Sequence, residues 1–191
     1  RQRQMCIRDR LLKVLHDNGI NYIRIRIWND PFNADGETYG GGGNDVSTGV
    51  EIAKEAAQYD MKVLLDFHYS DFWAEPAVQL VPKAWKKDVN NTEKMCSDVY
   101  DFTKESIQKF KDAGANIGMV QVGNEITNGL LGIYSNRDKG ESFNVIWGDK
   151  KKSTEVNKYL KAGIKAVREY TPQALVALHL ETPNVWKYKT I

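Results

Sequence analysis

Long apolar runs are missing from this 191-residue sequence. No stretch approaches the roughly 18 consecutive apolar residues that a membrane-crossing helix needs, so no membrane-spanning segment is expected. Cysteine is scarce as well. Cys6 and Cys96 are the only two, too few for a disulfide framework or a cysteine metal site, and they do not fix a redox compartment. A strong charge of one sign is also lacking. The net charge is +2, and residues 1–10 (RQRQMCIRDR) hold four arginines against one aspartate, a local +3. The other 181 residues therefore carry −1, which argues against a nucleic-acid footprint. Those first ten residues have neither the apolar centre of a signal peptide nor amphipathic spacing. They are read as an unmatched tail, with the domain over 11–191.

What remains is ordinary soluble-protein material, 41% hydrophobic and 27% charged, and long enough for one sizeable core. Four short β-like runs alternate with four helical patterns. Leu11 to Leu15 has helical spacing and stops at Asn18-Gly19. Asn21 to Trp28 (NYIRIRIW) alternates strictly and reads as a strand. Val46 to Tyr59 is a helix, with Asn44 or Asp45 as its cap, and Met61 to Phe67 a second strand. A long helix runs from about Thr92 to Ala113 and ends at Gly114. MVQV (119–122) is the third strand. Ser153 to Tyr170 is the fourth helix, capped by Ser153 or Thr154, and Leu175 to Leu180 the last strand. Alternating strands and helices imply crossovers and a parallel sheet, hence an α/β fold.

The helix-to-strand connections are short. The strand-to-helix connections, 29–45, 68–91 and 123–152, are long and hold most of the unusual residues. In (β/α) barrels such loops, at the carboxyl ends of the strands, build the active site. In NYIRIRIW, Ile23, Ile25 and Ile27 share one face while Arg24 and Arg26 share the other. A central strand covered by helices on both faces is apolar on both. Two inward arginines need carboxylates or water to meet them, which an acid-lined barrel mouth provides. The glycine run Gly40–Gly43 is no phosphate loop: Asn44-Asp45 follows it where Lys-Ser/Thr is required.

The stretch MVQVGNE (119–125) ends an apolar run in a glycine, an amide and an acid. Asn124 could simply cap a short helix with Glu125 in its first turn. Alternatively, Glu125 is a general acid/base on a rigid strand tip, with Asn124 beside it to bond a sugar hydroxyl. Glycoside hydrolysis needs two such carboxyls across the scissile bond. His68 at a strand end has its own plain reading, as a hydrogen-bonded core residue. Trp28, Trp73 and Trp85 can be packing or sugar platforms, the loop position favouring a platform for Trp73. Trp147 and Trp186 are read as packing.

VLLDFHYSDFWAEP (63–76), PKAW (82–85) and MVQVGNEITNGLL (119–131), with IRIRIWNDPFNADG and YGGGGND in 23–45, resemble glycoside hydrolase family 53, the endo-β-1,4-galactanases. The likeness runs from about Leu11 to Asn184. It implies a retaining (β/α)8 TIM barrel, of which this chain supplies about four βα units, strands 2 to 5, as an incomplete barrel. It implies that Glu125 is the proton donor and that Arg26, His68 and Asn124 line the catalytic subsite. It further suggests that Asp66, Asp71, Trp73 and His179 shape or contact that subsite. Glu181 stands where the family usually has Asp, and is expected as a substrate contact. The family's nucleophile lies on the seventh strand and is expected to be absent here. The implied partner is pectic β-1,4-galactan, acted on by a monomer outside the cell or at its surface. No cofactor is required; calcium occurs in bacterial members, but no ligands for it can be named. Another endo-glycanase of the same clan, or a non-catalytic glycan-binding remnant, is the alternative.

Overall fold

A computed structural model describes residues 2–135, 139–141 and 147–181, with side chains from residue 10 onward. Trp186, read as packing, lies outside them. The elements run α1 (Gln2–Asp17), β1 (Tyr22–Ile27), α2 (Val46–Ala57), β2 (Lys62–Phe67), α3 (Thr92–Asp112), β3 (Ile117–Val122), β4 (Gly129–Leu130), β5 (Ile133–Tyr134), α4 (Lys150–Tyr170) and β6 (Leu175–Ala177). Two short 3₁₀ turns, Lys83–Asp88 and Ile126–Asn128, sit in the loops after β2 and β3. Helix α1 begins at Gln2, so it takes in most of the stretch that the sequence sets apart as a tail.

β1, β2, β3 and β6 pair in that order, all parallel, and β4 with β5 forms a separate antiparallel pair. Strand order therefore follows chain order, with no reversal of direction across the sheet. A doubly wound sheet reverses at a switch point and carries helices on both faces. Here the outward residues Ile25, Ile27, Val63, Leu65, Phe67, Val120 and Val122 join one core cluster with the helix residues Ala53, Ala56, Met95, Val99, Ile107, Phe110, Val156, Leu160 and Val167. The helices thus cover one face, as in the wall of a barrel.

The register sets the opposite face. Arg26, Asp66, Gln121 and Ala177 lie on one rung across the four strands. Arg24, Leu64, Met119 and Leu175 lie on the rung below. Since side chains alternate along a strand, both rungs point away from the helices.

Local chemistry explains where the helices start. Asp45 caps α2, its carboxylate accepting from the Thr48 amide at 3.0 Å, whereas the Asn44 side chain donates to the Gly41 carbonyl. Asn91 caps α3 through the Lys94 amide. The cap of α4 is Asp149, not Ser153 or Thr154: its Oδ1 accepts from the amides of Lys151 and Lys152. Those two hydrogen bonds hold its carboxyl below the usual range, and the helix gains three residues over the expected start.

Candidate active site

β3 ends in a turn that only a few residue types tolerate. Gly123 has φ +83 and Glu125 has φ +49, both left-handed. A Cβ at Gly123 would meet the Ile126 side chain at 2.6 Å, so glycine is required there on two counts. Glu125 has no such freedom, and the surroundings must hold its strained conformation. It is half-buried at the carboxyl end of the sheet.

Asn124 does not cap the 3₁₀ turn that follows. Its side chain turns inward and is buried. Its Oδ1 faces three donor groups: Arg24 at 2.8 Å, Gln121 Nε2 at 3.2 Å and His179 Nδ1 at 2.8 Å. Its Nδ2 donates to the Ala74 carbonyl at 2.8 Å. That pattern leaves one way round for the amide, with one N–H left to donate.

Beneath it lies Asp66, fully buried on β2. Its Oδ2 meets Arg24 at 2.9 Å and His68 Nε2 at 3.1 Å, and its Oδ1 accepts from Gln121. His68 is also buried, and its Nδ1 accepts the Ala74 amide at 3.1 Å. With Nδ1 an acceptor, the ring proton of a neutral His68 sits on Nε2 and points at Asp66. Burying this carboxyl group is tolerable because three donor groups, a guanidinium, a ring nitrogen and a side-chain amide, meet its two oxygens.

Arg26 takes a different place. Its guanidinium lies 4.0 Å from the centre of the Trp73 ring. Trp73 is 43% exposed and packs edge-on against both Trp28 and His68. Trp28 is wholly buried behind it. Arg24, expected only as one of two inward arginines in need of carboxylates or water, contacts Asp66 and Asn124 directly. Gln79 and Gln121 were also missed; both are buried and touch the tip.

Asp71 spends both oxygens on backbone, accepting from the Asp30 amide at 3.1 Å and the Lys83 amide at 2.7 Å. It ties the loop after β1 to the loop after β2. Burial raises its carboxyl, and the two amides only partly oppose this. Asp71 also borders a cavity of about 620 Å³ with Tyr39, Phe72, Leu80 and Tyr134. His179 reaches the site through Asn124, and its carbonyl accepts the Ile126 amide at 2.9 Å. The Glu181 backbone amide donates to Thr127 Oγ1 at 3.0 Å. Trp85 is buried against Tyr69 and Phe102, so it is packing. Trp147 packs on the core and donates to the Thr127 carbonyl. Among the described residues no group of three or more His, Cys, Asp or Glu is placed to hold a metal ion.

A strand-end Asn-Glu pair thus stands over the buried Asp66 and His68, with the exposed Arg24 reaching in to Asp66. The sequence profile of Glycosyl hydrolase family 53 matches residues 2–191. The chain belongs to this family. A relative from Bacillus subtilis (strain 168), named Endo-beta-1,4-galactanase, is 44% identical over 93% of this chain and 37% of its own length. The family's catalytic domain from Ignisphaera aggregans superposes with a TM-score of 0.76 at 36% identity, over 89% of this chain and 43% of that one. A structure from a study of two fungal beta-1,4-galactanases gives a TM-score of 0.73 at 28% identity, over 94% and 49%. The chain thus spans less than half the length of these family 53 proteins. Its open parallel sheet is an incomplete (β/α) barrel. No helix among the described residues is long and apolar enough to cross a membrane.

Proposed function

We propose that this chain forms the proton-donor part of an endo-acting, retaining glycoside hydrolase that cleaves β-1,4-galactosidic linkages in pectic (arabino)galactan. The observation that carries the reading is the 44% identity, over nearly the whole chain, to a relative named for that activity. The inward Asn124 and the half-buried Glu125 at a strand tip support it.

Glu125 protonates the glycosidic oxygen as the bond to the leaving sugar breaks, and later removes a proton from the attacking water. The remaining N–H of Asn124 bonds the sugar's 2-hydroxyl. Trp73, held by Arg26 across its face, gives the apolar side of a sugar ring a surface to rest on. His68 and Arg24 keep Asp66 in place below. The second carboxylate, the nucleophile, is assigned to no residue of this chain, and Glu181 is kept as a substrate contact. The reaction needs no cofactor, and the enzyme works as a monomer outside the cell or at its surface.

The test is release of reducing ends by the full-length enzyme from galactan, mannan and cellulose in parallel. Galactan is expected to be the substrate, and Glu125→Gln to cut turnover by about 10²–10⁴-fold, the usual contribution of a positioned general acid/base. Equal turnover by the Gln form, or preference for mannan or cellulose, refutes the reading.

A further inference from the structure

The three peptide units of the tip have one property in common. The carbonyls of Gly123, Asn124 and Glu125 are each met by a side-chain amide. Gln121 Nε2 lies 2.9 Å from the Gly123 carbonyl and 3.2 Å from the Asn124 side-chain oxygen. Gln79 Nε2 lies 2.9 Å from the Asn124 carbonyl and 3.3 Å from the Glu125 carbonyl. Both glutamines are buried. They also come from different places: Gln121 from the inner face of β3, Gln79 from the loop after β2. Each is itself anchored, Gln121 Nε2 on Asp66 and Gln79 Nε2 on the Glu75 carbonyl at 3.1 Å. The Gln79 backbone carbonyl takes the Gly132 amide, tying in the turn between β4 and β5.

A carboxyl on a left-handed residue is aimed by its backbone, because each peptide rotation swings the whole side chain. Two carboxamides that grip consecutive carbonyls from two sides remove those rotations. We propose that Gln79 and Gln121 are positioning residues that hold Glu125 in its left-handed conformation and so aim its carboxyl at the glycosidic oxygen. Neither glutamine touches the reacting atoms in this scheme. The inference rests on the proposed proton-donor role of Glu125.

The test compares two substrates for the full-length enzyme. Galactan has a poor leaving group that must be protonated as it departs. A nitrophenyl β-galactobioside has a leaving group that departs without a proton. In Gln79→Met and Gln121→Met, kcat/KM on galactan is expected to fall about tenfold to hundredfold, the scale of an ångström-sized misplacement. On the aryl substrate it should fall less than about threefold, since kcat/KM reports the first step and that step no longer needs the acid. Equal losses on both substrates, or undiminished cleavage of galactan, overturn the proposal. Should a methionine form fail to fold, Gln79→Glu and Gln121→Glu, which keep the shape and lose the donors, are held to the same ratio. Failure of the proton-donor reading shows up separately, as an unaltered enzyme that does not cut galactan or does not need Glu125.

Discussion

Glu125 occupies a backbone conformation that costs a residue with a side chain roughly 1–2 kcal/mol. A strand tip built for stability alone has little reason to accept that; one that must present a carboxyl does. Asp71 poses a related problem in titration. Burial raises its carboxyl above the usual value of 3.8. A raised acid in the fold means that its stabilising share is fully present below the unfolded value and is lost as pH rises through the folded one. Asp71→Asn cannot ionise and escapes that loss. The melting temperature of the Asn form relative to the parent is therefore expected to rise between about pH 4 and pH 7; thermal scans across that range decide it, and a difference that is flat or falls with pH refutes it. At this scale the sequence was informative about Asn124, His68, Asp66 and Trp73, because they stand in distinctive strand-end motifs. Arg24 was legible only as one of two arginines on the inner face. The register and reach of its side chain give it the contact with Asp66 and Asn124, and Arg26 the one with Trp73. Gln79 and Gln121 carried no signal. A buried glutamine looks like any other polar residue until the carbonyls that it meets are known.

Period decided most of the elements. The strict alternation of YIRIRI and the stripes of α3 and α4 mark strand and helices to within a few residues. The pair β4–β5 was not foreseen. Its two-residue turn is Leu131-Gly132, both with positive φ, and leucine is a poor announcement of a left-handed position. Helix α4 also shows what spacing alone conceals. Gly163 sits in mid-helix, where alanine would raise helix propensity by as much as about 1 kcal/mol. Yet a Cβ there would meet the Tyr69 hydroxyl at 2.7 Å and the Val122 side chain at 2.8 Å. Tyr69 is buried and bonded to Thr103 at 2.8 Å, so it cannot step aside. Gly163→Ala is expected to lower stability by about 1–2 kcal/mol, overpacking outweighing propensity. Urea unfolding measures this, and a variant as stable as the parent removes the claim of close helix–sheet approach.

For the molecule as a whole, two sheet edges matter. Among the described residues, β1 and β6 each pair on one side only. The inner face carries Met119 and Leu175, the latter 62% exposed. Unpaired edges and exposed apolar surface favour association. The isolated 191-residue chain is therefore expected to aggregate and, under the proposal that assigns the nucleophile to none of its residues, to release no sugar from galactan. Light scattering and a reducing-sugar assay test the two parts, and robust hydrolysis by the isolated chain contradicts the second.

Strand order that copies chain order has a temporal side. As the polypeptide leaves the ribosome, each new strand meets a neighbour that has already been made, so no early segment must wait long for a distant mate. His179, which completes the ring of donors around the Asn124 amide, emerges after all the others. The amide beside the acid is thus secured last, once the sheet that carries it has been laid down.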